Sequence, residues 1–274
     1  MSCRTHKQMF ALADGCPDRV TVRRKVYRLV GVFKHDFFAA TALYTADADG
    51  VAPDRVVVKF GRQQGFCGLP LAWVGRYLAR REREVHRRID GIEGIQRWVD
   101  RVSPSAFALE YLPGRPLDTV DPPPDGRFFD ALRDLVDAVH ARGVAYGDLN
   151  KRSNILVTPD AKPALIDFQI CAFRPRRAGW LRWAADRIVA YLQRMDLYHL
   201  YKHKRRLAPE ALRQGEEAAL DRPDGLLRLH RAAATPVRHV RRRLLTRLHR
   251  AGRLRSPTAH LETSEQPEKA TWRK

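Results

Sequence analysis

The stretch that decides the fold is "VAYGDLNKRSNILV", residues 144–157, read together with "LIDFQ", residues 165–169. Polar residues stand between two apolar runs in the first, and a single Asp interrupts an apolar run in the second. Asp148, Asn150, Lys151, Asn154 and Asp167 are thus set among residues that favour burial. A buried carboxylate is costly unless it is paired or holds a metal. "NILVT" and "ALIDF" on either side of "PDAKP" read as strand, turn and strand. The polar cluster and Asp167 therefore flank a hairpin, which is a reason to look for chemistry there. The plainer alternative is that Asp148 and Asn154 cap a turn, as such residues often do.

Working outward, the chain changes character near residue 112. Before it the pattern is strand-like, with "VYRLVGVF", "AATALYTA" and "VVVKF" as β runs. Leu71, Val74, Leu78, Val85 and Ile89 recur at helical spacing and predict a helix over 71–89. "IEGIQRWVD" and "AFALEYL" then read as strands. After the Pro-rich connector "PGRPLDTVDPPPDG", Phe128, Leu132, Leu135, Val136 and Val139 make one face of a helix that Gly143 ends. Segments beyond Arg174 are helical, amphipathic and basic. The expected division is an extension over 1–20, a strand-rich part over 21–112, a helical part over 113–255 and a disordered tail over 256–274.

The chain has 274 residues, 44% hydrophobic and 30% charged, which suits a globular protein with a substantial core. Its four cysteines are scattered and form no CxxC pair, a pattern that fits a reducing compartment and argues against structural zinc. The N-terminus has no sustained apolar core, so a cytoplasmic protein is expected, soluble or peripheral at the inner face of the membrane. The net charge is +20, unevenly placed. Residues 174–274 hold 25 Lys/Arg against 10 Asp/Glu, whereas residues 1–173 hold 26 against 21. Such a field draws anionic partners. "VRHVRRRLLTRLHR", residues 237–250, sets an apolar stripe beside Arg and reads equally as a membrane-surface helix or as a helix docked on the core.

The order of parts resembles the protein kinase superfamily over roughly residues 21–173. A Lys ends an apolar strand, a Glu-bearing helix follows, then a strand and connector, Asp…Asn in a loop, and Asp at a hairpin strand. The resemblance is to the compact atypical branches: RIO-type kinases, aminoglycoside-type phosphotransferases and lipopolysaccharide-core sugar kinases. It implies an α+β, two-lobed fold with a strand-rich N-lobe and a helical C-lobe, and ATP with Mg2+ as cofactors. Asp167 matches the metal-binding Asp of the DFG element and Asn154 the holder of the second metal. Asp148 matches the Asp that accepts the substrate hydroxyl's proton, and Lys151 takes the place of a phosphate-facing Lys. Lys59 would grip the α- and β-phosphates, paired to a helix Glu. Helical phase selects Glu82, in the apolar stripe, over Glu84, which is spaced for ion pairs with Arg80 and Arg88 on the solvated side. Glu110 and Leu112 of "LEYLPG" occupy the adenine-binding hinge by position. The stretch from Lys34 to Phe38 occupies the phosphate-covering loop, with its amides and the Lys34 side chain as candidate phosphate contacts.

Four departures are specific. Tyr146-Gly147 replaces the His-Arg before the catalytic Asp. Asn154 follows Asp148 by six positions, one more than the family's usual spacing. Gln169 stands where DFG has Gly, and no GxGxxG precedes Lys59. The resemblance implies a phosphotransferase acting on a hydroxyl of a protein Ser/Thr or of a membrane glycolipid sugar. A nucleotide-binding pseudokinase is the first rival, favoured by the lost glycines. A basic nucleic-acid-binding protein is the second, and it lacks any base-reading module, so nucleic acid is not an expected partner. His199 and His203, one helical turn apart, lack a third ligand for a metal site.

Overall fold

The computed structural model describes residues 9–221, apart from 49, 51, 176–178 and 180. The expectations for residues 222–274, including the basic amphipathic segment and the tail, lie outside the described residues. The chain is α+β and divides into two compact units. One holds the described residues up to Ala79 together with Val99–Tyr111; the other holds Arg80–Trp98 and Leu112–Asp221.

The first unit is built on an antiparallel sheet of β1 (Arg19–Val22), β2 (Lys25–His35), β3 (Ala39–Ala46), β4 (Arg55–Gly61), β5 (Trp98–Ser103) and β6 (Ala106–Glu110), in the order β1-β2-β3-β4-β6-β5. Alternation on β2 and β3 sends Tyr27, Val32, Ala40, Ala42 and Tyr44 to one core, joined by Val56, Val58 and Phe60 of β4. The stretch before residue 21, expected as an extension, belongs to this body. Phe10, Ala11, Leu12 and Cys16 are buried, because four apolar residues in a short segment have surface to hide. The expected strand over "IEGIQRWVD" begins only at Trp98, since Gly91 and Gly94 take positive φ (79° and 83°) and turn the chain.

Helix α1 (Ala72–Arg88) is continuous, and the division between the units falls within it, after Ala79. Its first turns lie against the end of β4 at van der Waals limit. A Cβ on Gly75 would sit 2.2 Å from the carbonyl oxygen of Arg62, so only glycine fits.

The second unit is mainly helical. Helix α2 (Gly126–Ala141) is capped by Asp125, whose carboxylate accepts from the Phe128 amide at 3.2 Å. It ends where Gly143, at φ 70°, donates to His140 O at 2.9 Å. The short strands β7 (Arg115–Pro116), β9 (Ile155–Val157) and β10 (Pro163–Leu165) form one ladder, and β8 (Val144–Ala145) pairs with β11 (Ala172–Phe173). Helix α3 (Leu181–Leu207) follows, then α4 (Gln214–Asp221). Phe128, Phe129, Leu132, Val136 and Val139 of α2 pack with Val85, Ile89, Ile155, Leu165 and Leu200 in the second core. Among the described residues no helix is long and apolar enough to cross a membrane.

Candidate active site

The loop after β8 folds in three-residue steps. The Lys151 amide donates to Asp148 O and the Asn154 amide to Lys151 O, both at 3.1 Å, and residues Arg152–Asn154 complete a turn of 3-10 helix. A period of three places positions i, i+3 and i+6 one above another. This is why six residues between Asp148 and Asn154 still bring the two together. Asn154 Nδ2 donates to Asp148 Oδ2 at 2.9 Å, and Lys151 Nζ reaches the same oxygen at 2.8 Å. Asp148 and Asn154 are buried, while the Lys151 side chain is largely exposed.

The hairpin brings in Asp167. Ile166 N donates to Asn154 O at 3.1 Å, so the residue before Asp167 is tied to the residue that contacts Asp148. Asp167 adopts φ 61°, the left-handed region that a non-glycine residue enters only when its surroundings hold it there. Burial pushes the Asp148 carboxyl above the ordinary range, and the negative charge of Asp167 pushes it the same way. Lys151 and Asn154 oppose the shift.

The loop is gripped from behind by Asp196 on α3, a residue the sequence reading missed. Its carboxylate is fully buried and accepts from the amides of Tyr146 and Gly147, both at 2.8 Å, and lies 3.0 Å from His140 Nε2. One turn pair later, His203 Nε2 lies 2.8 Å from Leu149 O, so that nitrogen carries the proton. Burial lowers the His203 pKa against the pull of that bond, and Arg152, Lys202 and Arg206 add to the effect. A lone Asp inside "LQRMDLYHL" offered no periodic or motif signal, since its partners, two backbone amides and the His140 ring, lie some fifty positions away. The His199–His203 spacing, weighed for metal, serves instead to hold the loop through His203.

Behind the site runs a column of rings. Tyr146 meets Phe168 edge-on at 5.1 Å, and Phe168 meets His86 at 5.4 Å. The Tyr146 hydroxyl donates to Ile166 O. Arg81 donates to Cys171 O and Arg88 to Arg174 O, each at 2.6 Å, fixing the second half of α1 to the chain beyond Phe168. On that helix Glu82 is buried, whereas Glu84, expected on the solvated side, is partly buried in its (i, i+4) pair with Arg88 at 3.0 Å.

The other candidates belong to the first unit, except Leu112, which lies in the second. Lys59 is buried on β4, opposite Thr41 of β3 and Phe107 of β6. Glu110 ends β6 opposite Val56, and Leu112 lies beyond it in the connector. The turn after β2 differs from expectation. Asp36 N donates to Ala39 O at 2.9 Å, and Asp36 Oδ1 accepts from Phe38 N and Ala39 N at 2.8 and 2.9 Å. Lys34 Nζ pairs with Asp36 Oδ2 at 2.9 Å. The amides of Asp36 and Phe38 are thus committed to the turn itself, around a carboxylate. Burial opposes ionisation of Asp36, but Lys34 and those amides outweigh it and hold the carboxyl below the ordinary range.

Asp148 and Asp167 offer carboxylates and Asn154 an amide oxygen. Few, hard oxygen donors are what magnesium takes from a protein when phosphate supplies the rest. A set of soft or imidazole ligands is not gathered: among the described residues no group of three His, Cys, Asp or Glu is placed to hold a metal. No protein-family model matches the chain, and no curated protein sequence matches it.

Proposed function

We propose that the chain is an ATP- and magnesium-dependent phosphotransferase of the protein-kinase-like class, acting on a hydroxyl of a protein Ser/Thr or of a membrane glycolipid sugar. The observation that carries this reading is the convergence of Asp148, Lys151 and Asn154 on one edge of the loop, with the charge of Asp167 felt at Asp148. Asp167 and Asn154 would hold magnesium, which when bound supplies a hard cation against the phosphate oxygens. Asp148 orients the acceptor hydroxyl and takes its proton. Its upward shift brings its basicity closer to the working pH, which favours proton transfer. Lys151, already on Asp148 Oδ2, sets a positive charge beside the path of the transferred group. Lys59 and Glu82 would each contribute to nucleotide positioning. The nucleotide-binding pseudokinase stays as a second reading because Asp36 puts a carboxylate in the turn assigned to cover phosphates.

Calorimetry of ATP binding with and without magnesium tests the metal assignment. Wild type should need magnesium, and Asp167→Ala should weaken binding at least about tenfold by removing an oxygen ligand. Unchanged affinity in that variant overturns the assignment. Asp148→Asn should keep the affinity and lose about a hundredfold or more in turnover, the usual size of a general-base contribution. ATP binding without turnover by wild type against every acceptor offered would select the pseudokinase.

A further inference from the structure

The last turns of α3 carry Lys202, Lys204, Arg205 and Arg206, and these four cations have different fates. Lys204 is buried between Asp130 and Glu216, 3.0 Å from each. Arg205 lies 3.8 Å from Asp221. Among the described residues Lys202 and Arg206 have no carboxylate at ion-pair distance, and neither does Arg152 of the catalytic loop.

All three lie near enough to His203 for their charges to act on it. His203 points at the loop, since its Nε2 lies on Leu149 O, the residue after Asp148. Lys202 precedes His203 by one position and Arg206 follows it by three, so both project to the same side of the His203 direction, one turn apart. Arg152 opens the 3-10 turn in the loop that His203 holds. The three charges each disfavour protonation of His203, as charges gathered around it must. Like charges one turn apart weaken a helix, and among the described residues no carboxylate lies at ion-pair distance to offset them. Several basic residues nearby are paired with carboxylates: Arg133 with Asp137, Arg88 with Glu84, Arg213 with Asp130.

We infer that Arg152, Lys202 and Arg206 form an acceptor subsite for a phosphate group, and that the acceptor is a phosphorylated sugar presenting its hydroxyl to Asp148. This rests on the reading of Asp148 as the acceptor base, four positions from Arg152. A phosphate fits three converging cations because it concentrates nearly two charges and three acceptor oxygens in one compact group. An acidic peptide would spread single charges along an extended chain and would not need them at one point.

The test separates subsite from chemistry. The full chain, with magnesium and no nucleotide, is titrated with glucose 6-phosphate, with glucose and with a Ser-containing peptide rich in Glu. Glucose 6-phosphate should bind in a salt-sensitive way and at least about tenfold more tightly than either of the others. A Lys202→Ser/Arg206→Ser variant should lose at least about tenfold of that affinity while keeping its melting temperature and its Mg-ATP affinity, because both side chains are exposed. Equal binding by wild type and variant, tighter binding of the peptide, or equal binding of glucose would each overturn the proposal. Phosphate-selective binding that the variant loses, without phosphotransfer to any sugar phosphate, would leave the subsite standing and remove the catalytic reading on which its role depends.

Discussion

The carboxylates of Asp148 and Asp167 lie close enough for the charge of one to raise the pKa of the other, although they belong to different arms of the loop and hairpin. Nucleotide-free protein should therefore show an Asp148 carboxyl titrating above the ordinary Asp range. The sign of each perturbation is fixed. Asp167→Asn removes a negative neighbour and should move the Asp148 midpoint down, whereas Lys151→Met removes a cation and should move it up. Because burial raises the folded pKa, ionising Asp148 disfavours the fold. Its contribution to stability is full below the unfolded pKa and is lost as pH rises through the folded one. Carboxyl-detected NMR reads the midpoints. A shift of the same sign in both variants would show that the two neighbours do not act through charge.

Asp196 holds the loop by accepting two backbone amides, that of Tyr146 buried and that of Gly147 partly so. Replacing it by Ala leaves two donors without an acceptor, at about 1–3 kcal/mol each, so Asp196→Ala should lose on the order of 3 kcal/mol in a urea melt. Asp196→Asn keeps one acceptor oxygen but turns an NH2 toward a donor, and should lie between wild type and Ala. Turnover should fall with the loop's position even in conditions where the variant is fully folded. A melt within about 0.5 kcal/mol of wild type would mean that the loop holds itself.

The sequence carried those parts of the fold that depend on local pattern. Strand β3 spans the run "AATALYTA" end to end, and the 3.6-residue spacing of Leu71 to Ile89 marked α1 to within one residue at each end. The polar cluster was legible because Asp, Lys and Asn among apolar residues violate the burial rule. What was not legible depends on contacts made at a distance. Asp196 has for partners two backbone amides and the ring of His140, all some fifty positions away in sequence. Gly75 is required by the carbonyl of Arg62, which no neighbour in sequence announces. The turn at Asp36 read as open amides, yet a side chain two positions back takes one of them, an Asx-type bond that competes with any ligand.

The two carboxylates of α1 should differ sharply in what they tolerate. Glu84 is partly exposed and its pair with Arg88 contributes at most about 1 kcal/mol, so Glu84→Gln should retain near wild-type activity and stability. Glu82 is buried, and its charge is felt at Cys171 behind the hairpin. Glu82→Gln should raise the KM for ATP and lower kcat together, as loss of a positioning group does. Steady-state kinetics of the pair decides it: loss of activity in Glu84→Gln with normal activity in Glu82→Gln would place the wrong face of the helix inward.

Stability below neutral pH should be governed in part by His35, the last residue of β2. Its Nε2 accepts from the Leu12 amide at 3.2 Å, a bond that only the neutral ring can make. Burial drives its pKa from 6.5 down to about 4, with Asp36 opposing. The sign follows: a His whose folded pKa is depressed binds its proton first in the unfolded chain. The stability tied to neutral His35 is then complete above about pH 6.5 and lost as pH falls toward 4, levelling off once both states are protonated. The size is about 3 kcal/mol over that window, from 1.36 kcal/mol per pKa unit. His35→Gln keeps an acceptor oxygen for Leu12 and does not titrate. Urea melts of both proteins from pH 7.5 to 4 should converge as pH falls, wild type losing about 3 kcal/mol more than the variant. Parallel curves would mean that His35 is protonated in the folded protein and that the Leu12 bond gives way first.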